Sequence, residues 1–135
     1  MPFYRISELE VQRGVESPLA ETRKVVGELM KTGIVTYRKG HGAPPHFHPN
    51  EEQFILVLEG RRYFILGDEE RIVGPGDLVH IPRNTRHGGR SLDEKCVMFV
   101  AKSPAGDGRL SQDYHAAADQ EAVTARLNQK LKELA

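Results

Sequence analysis

The stretch HGAPPHFHPNEEQFILVLEG, residues 41–60, sets histidines and prolines directly ahead of an apolar run, Phe54 to Leu58. His46 and His48 are two residues apart, so on an extended chain both side chains leave the same face. Two imidazoles on one face chelate a divalent ion when further ligands arrive from elsewhere. The next residues, Glu51, Glu52 and Gln53, offer three candidates for the following ligand. Strand alternation groups Gln53 with Ile55 and Val57, and sends Glu52 to the opposite side with Phe54, Leu56 and Leu58. The irregular Pro49-Asn50 step before the strand keeps Glu52 open as an alternative.

Outward from this stretch, runs rich in β-branched and aromatic residues predict strands at Arg23–Met30, Ile34–Arg38, Gln53–Leu58, Arg61–Leu66, Glu70–Val73, Asp77–Ile81 and Lys95–Ala101. Lys31-Thr32-Gly33, Gly60, Gly67-Asp68, Gly74-Pro75-Gly76 and the Pro82–Gly89 segment separate them as turns. So many short strands predict an all-β antiparallel sandwich or barrel. Near the N-terminus, Ser7-Glu8-Leu9-Glu10 has the form of a capping box and predicts a short helix or turn. After Ser111 the composition changes, and Val123, Leu127, Leu131 and Leu134 recur at helical spacing. A C-terminal α-helix is therefore expected, with Asp119 as its N-cap and its apolar stripe against the β-domain or a partner subunit. The expected division is a β-domain over 1–110 and a helical tail over 111–135.

The bulk composition excludes several classes. A chain of 135 residues closes a core as one domain. Its 19 basic and 19 acidic residues cancel, so no global field recruits nucleic acid or an anionic membrane. No apolar run approaches the ~20 residues of a membrane-spanning helix. The start MPFYRISELE lacks a basic-then-apolar signal, and the single cysteine, Cys96, makes no internal disulfide. A cytoplasmic protein with a buried structural thiol is the expectation.

The spacing from Gly40 through His46, His48 and Gln53 to Gly60 closely resembles the first sequence motif of the cupin superfamily, with Gln53 where members usually carry Glu. Gly76, Pro82, Asn84, His87 and Ser91 resemble the second motif, with Asn84 for the usual Gly and Ser91 for the usual Asn. Asn is the residue other than glycine that best tolerates a left-handed turn, so the first exchange is mild. The resemblance spans residues 40–91 and implies a small, RmlC-like cupin: a jelly-roll barrel holding a metal inside. It implies His46, His48, Gln53 and His87 as ligands of one divalent transition metal, whether Zn, Ni, Fe, Mn or Co. The count to Gly60 selects Gln53 over Glu52.

The exchange of Glu for Gln alters the chemistry. A carboxylate would cancel one of the ion's two positive charges, whereas an amide cancels none. The centre becomes a stronger Lewis acid, attracts anions and supports a higher oxidation state less well. A metal-dependent isomerase or lyase acting on a small polar metabolite, such as a sugar acid, is the leading expectation. A dioxygenase and a non-enzymatic metal- or small-molecule-binding module are the alternatives, since a fold does not choose among chemistries. The ligand set is similar to that of cupins that linearise unsaturated uronates. Those also use an acidic residue on a strand after the last histidine, and here that strand reads CVMFVAK.

Outside the ligand set, His80 is the candidate proton shuttle, because an ordinary histidine titrates near neutral pH. Arg83, among the neighbouring Arg86 and Arg90, is the candidate anion clamp. His41 and His115 read as surface residues, and Tyr37 and Tyr63 as packing aromatics. The apolar set Phe54, Leu56 and Leu58 needs a cover, either the C-terminal helix or a homodimer interface.

Overall fold

The computed structural model describes residues 3–13 and 20–134. Its strands are β1 (Gln12–Arg13), β2 (Glu21–Val26), β3 (Lys31–Arg38), β4 (His46–Phe47), β5 (Glu52–Glu59), β6 (Arg62–Leu66), β7 (Glu69–Val73), β8 (Leu78–Ile81), β9 (His87–Ser91), β10 (Lys95–Ser103) and β11 (His115–Ala116). Helix α1 runs over Gln120–Leu134. The strands form a six-stranded sheet, ordered β1-β2-β3-β10-β5-β8, and a five-stranded sheet, ordered β11-β4-β9-β6-β7. Neighbours in both sheets are antiparallel, as expected of a jelly roll. The two sheets face one another and are not joined by ladder bonds into a closed barrel. In this respect the expected barrel is corrected to a two-sheet roll.

Strand alternation accounts for the core. In β5, Gln53, Ile55 and Val57 are buried while Glu52, Phe54 and Leu58 are exposed, as the side-chain period of two requires. In β10, Cys96, Met98, Val100 and Lys102 point inward. Ile55, Val57, Phe64, Val73, Ile81, Cys96, Met98 and Val100 fill the space between the sheets. A second cluster lies outside the five-stranded sheet, where α1 lays Val123 and Leu127 on Tyr63, Ile65 and Leu92. Leu127 is fully buried there, which stabilises the docked helix by about 1.5–3 kcal/mol. The expected stripe therefore splits, with Leu131 partly buried and Leu134 exposed at the end of the helix. The helix covers this sheet and not the exposed Phe54 and Leu58 of the other one.

Three local readings are corrected. The β2–β3 turn lies at 27–30 and not at Lys31-Thr32-Gly33, which belongs to β3. Gly33 is a packing glycine: a Cβ there would press on the Leu110 side chain and on the Arg23 carbonyl. The capping box does not form. A short 3-10 helix spans Ile6–Glu8 with Arg5 at its N-cap and no side-chain cap bond. The end of the Pro82–Gly89 segment is strand, because β9 begins at His87 and runs between β4 and β6. Asn84 takes the left-handed conformation (φ 61°) that its place in the motif implies. Its N–H donates to the His48 carbonyl at 2.8 Å, tying the turn before His87 to the strand of the histidine pair. Among the described residues no helix is long and apolar enough to cross a membrane.

Candidate metal centre

The ladder brings the histidines together. His46 on β4 lies directly opposite His87 on β9, and His48 follows on the same chain segment. The ring centroids of His46 and His48 are 4.9 Å apart, those of His46 and His87 4.3 Å, and those of His48 and His87 5.8 Å. One nitrogen from each of the three lies within 4.8 Å of the others, and all three residues are buried.

Backbone carbonyls orient the rings. His46 Nδ1 meets the Pro44 carbonyl at 2.7 Å, and His87 Nδ1 meets that of Thr85 at 2.9 Å. His48 Nδ1 meets the carbonyls of Asp113 at 3.0 Å and Gln112 at 3.2 Å. A carbonyl only accepts, so each Nδ1 carries the hydrogen and each Nε2 keeps its lone pair. Such an outer contact fixes the tautomer of a metal-binding histidine. The rings are also held neutral. Burial, reinforced by the charge of Lys102, lowers the pKa of His46 to about 4 and of His48 to about 3. Burial and the neighbouring His46 push His87 well below its ordinary value.

Gln53 faces the same space. Its side chain lines the same cavity, and its Oε1 is buried without a hydrogen-bond partner, as is His48 Nε2. Buried polar atoms rarely stay unpaired, so these two orphans facing one space are suited to hold a cation. The donor set of imidazole nitrogens and one amide oxygen suits a divalent transition metal. Glu52 faces outward and its carboxylate meets His80 Nε2 at 2.7 Å. Glu51 is buried behind His48, with Oε1 3.5 Å from Nδ1 and Oε2 2.5 Å from the fully buried Lys31 ammonium.

The cavity has a volume of about 300 Å³. Five basic side chains line it, Arg13, Lys24, Arg62, Lys102 and Arg109, and among the described residues no acidic one does. Tyr114 stacks on His46 at 4.5 Å. Lys102 lies opposite Gln53 in the β10–β5 ladder, so both side chains share the inward face. Its ammonium donates to the Leu110 carbonyl.

His80 and Arg83 lie outside this cavity. His80 sits on the outer face of the six-stranded sheet, stacked on Phe54 at 4.4 Å. Arg83 is exposed, in a shallow groove with Pro49, Asn50 and Pro104. Arg86 bonds the Gly67 carbonyl and pairs with Asp119, and Arg90 is buried against the Gly89 carbonyl. Tyr37 lines the cavity, whereas Tyr63 packs under α1. His41 and His115 are exposed, the latter stacked on Phe47. The sequence reading passed over Arg62 and Lys102, yet alternation marks both. Arg62 shares its face with Phe64, and Lys102 ends the inward series Met98, Val100. Tyr114 follows an irregular segment that carries no such signal.

Comparison with known proteins agrees with this geometry. The pectin degradation protein KdgF of Dickeya dadantii (strain 3937) is 33% identical over 70 residues, 52% of this chain and 64% of that protein. Quercetin 2,3-dioxygenase of Bacillus subtilis (strain 168) is 32% identical over 78 residues, 58% of this chain and 23% of that enzyme. The chain thus spans less than two thirds of the length of either curated relative. The structure of KdgF from Halomonas sp. superposes with a TM-score of 0.73 at 26% identity, covering 79% of this chain and 98% of that one. The sequence model of the cupin domain matches residues 33–101, a span that holds His46, His48, Gln53, Arg62 and His87, and the chain belongs to the cupin family.

Proposed function

We propose that this cupin is a metal-dependent enzyme acting by Lewis-acid catalysis on a small anionic metabolite of the sugar-acid kind. One observation carries the reading: three buried imidazoles within reach of one another, the orphaned His48 Nε2 among them, and an unpartnered Gln53 oxygen open into a cavity lined by five basic side chains and, among the described residues, no acidic one. His46, His48, Gln53 and His87 would hold one divalent transition metal. Bound there, it would polarise a carbonyl, carboxylate or enediolate oxygen, and the neutral ligands would leave its charge uncompensated.

The chain's own groups do the rest. Lys102, beside Gln53, donates to negative charge developing next to the ligand set, where a low dielectric strengthens the contact. Lys24 and Lys102 draw an anion toward the cavity, whereas Arg13 and Arg109 are paired with Glu21 and Asp107 at its rim. Tyr114 and Phe64 supply flat walls that limit the ligand's orientations. The strand CVMFVAK offers no carboxylate for proton abstraction. Isomerisation or elimination would use a substrate oxygen or solvent as base. The similarity to the quercetin 2,3-dioxygenase of Bacillus subtilis supports a dioxygenase as the second reading. The neutral Gln53 favours the Lewis-acid reading over it.

Gln53→Glu tests the charge assignment. Its carboxylate should retain the metal more tightly through dialysis against chelator and weaken the binding of anionic ligands about tenfold. Unchanged anion affinity in a metal-loaded variant refutes the assignment. Turnover of sugar acids by the metal-loaded wild type, screened anaerobically and under air, separates Lewis-acid from oxygen chemistry. Bound metal with no turnover in either would favour the binding module.

We also propose that a second copy of this chain covers the outer face of the six-stranded sheet. Phe54, Leu58, Leu78 and Phe99 are exposed there, and α1 is engaged on the other sheet. A two-fold pairing would bury them together. Sedimentation equilibrium should give a dimer that Leu78→Glu splits, and a monomeric wild type refutes it. A reducing cytoplasm would suit the buried thiol of Cys96.

A further inference from the structure

We infer that Arg62 is the ligand-selecting group in the buried wall of the cavity, holding a carboxylate of a bifunctional acid whose other end meets the four candidate metal-binding residues. This rests on the cavity being the substrate site proposed above, and it adds the form of the substrate: two oxygen-bearing ends separated by roughly the width of one aromatic ring.

The placement of Arg62 is unusual for a core strand. It occupies β6 between Val73 on β7 and Ser91 on β9, and it is 5% exposed. Its Nη1 donates to Met98 Sδ at 3.1 Å, a weak acceptor, and its Nε is buried with no acceptor at all. Among the described residues no carboxylate pairs with it, whereas at the rim Arg13 pairs with Glu21 and Arg109 with Asp107. A second guanidinium, Arg90, lies close enough to be affected by its charge. The Tyr37 and Phe64 rings, 5.4 and 5.0 Å from its guanidinium carbon, offset part of the cost of burial, but among the described residues no counter-charge does, and Arg stays protonated under all conditions of interest. Such a group persists where a ligand supplies the missing counter-charge.

The fold makes room for it. A Cβ at Gly89, opposite Phe64 on the next strand, would overlap the guanidinium, so glycine there lets Arg62 lie flat against β9. Phe64 stands between this group and the metal-binding residues. Its ring centroid is 5.0 Å from the guanidinium carbon and 6.2 Å from the His87 ring. A ligand spanning Phe64 therefore reaches Arg62 with one end and the His46, His48, Gln53 and His87 side chains with the other. The walls at the Arg62 end are Tyr37, Phe64 and Met98, which suit a singly charged planar carboxylate better than a phosphate dianion needing many donors.

The test is ligand binding, by calorimetry and by the shift in Tm, to wild type and Arg62→Met, each metal-loaded and metal-free. The probes are acetate, malonate, glutarate, adipate and inorganic phosphate. Metal-loaded wild type should bind glutarate or adipate at least about tenfold more tightly than acetate. Arg62→Met should lose that preference while keeping its metal content and its acetate affinity. Without ligand its Tm should equal or exceed that of wild type, since a buried charge without a counter-charge is replaced by an unbranched apolar side chain; a merely structural arginine would lower it. Arg62→Lys, for use if Arg62→Met does not fold, keeps the charge but not the planar fork, and should retain part of the preference. Equal affinities in wild type and both variants, no preference for the longer diacids, or preference for phosphate would each overturn the assignment. Failure of wild type to hold metal would instead defeat the Lewis-acid reading, and the effect of Arg62→Met on diacid binding to metal-free protein would still decide this one.

Discussion

His48→Ala should leave the purified, untagged protein with less than a tenth of the wild-type complement of transition metal. Removing even an outer contact of a metal ligand typically costs 10–100-fold in affinity, and His48 is an inner one on the present geometry. Its Nε2 is buried without a partner, and its Nδ1 is committed to the Gln112 and Asp113 carbonyls. Among the described residues no carboxylate lies in place to take over. Glu51, the nearest buried carboxylate, is held by the Lys31 ammonium, and Glu52 is turned outward to His80. His80→Ala is the control, because the exposed His80 should leave metal content unchanged. Elemental analysis of the three proteins with circular dichroism reads the result. Equal metal in wild type and His48→Ala, with the fold intact, would remove the site from its assigned place.

That site was legible in the sequence to an uneven degree. The inward placement of the candidate ligands could be read because their positions are tied to turns. Gly60 takes a left-handed conformation (φ 76°) at the end of β5, and a side chain there would meet the Lys95 carbonyl. Counting back from it fixes the register of the strand, and a shift of one residue would have put Glu52 inside. The inward face of β5 and the helical stripe of α1 were readable for the same reason, since each follows from a fixed period. What periodicity does not encode is the role of a polar residue that falls on an inward position. Arg62 and Lys102 sit in phase with core residues, yet a charged residue on a strand ordinarily suggests a solvated edge. Only the close approach of two sheets shows that they face a cavity. Gly33 failed as a turn signal because glycine serves two purposes. Its freedom at positive φ suggests a turn, whereas here it was needed for the passage of Leu110. The cover on each sheet also depended on tertiary contacts. The stripe of α1 fits either sheet's outer face, and the cluster of Tyr63, Ile65 and Leu92 decides it.

The metal-free protein should lose stability steeply as the pH falls from about 6.5 to 4, before its surface carboxylates contribute. Burial holds His46 and His48 neutral in the fold, with pKa values of about 4 and about 3 against 6.5, and His87 is lowered further by burial and His46. In the unfolded chain each takes up a proton near its ordinary pKa. Below 6.5 the unfolded state therefore binds more protons than the folded one, and stability rises with pH through this window and levels off above it. At about 1.4 kcal/mol per pH unit for each group, His46 and His48 each withdraw roughly 3 kcal/mol by pH 4. Set against a typical total of about 5–15 kcal/mol, that is enough to unfold the protein in mild acid. Glu70, Asp93 and Asp107 have pKa values lowered by arginine partners, so their contribution persists until the pH passes below the ordinary carboxylate range. The two effects thus occupy different windows. Urea denaturation of chelator-treated protein at half-unit steps from pH 7.5 to 4 measures the slope, and a midpoint that stays flat between 7 and 5 contradicts it. Metal-loaded protein should start from higher stability at pH 7.5 and fall more steeply, because the same protons that favour the unfolded chain compete with the metal for Nε2.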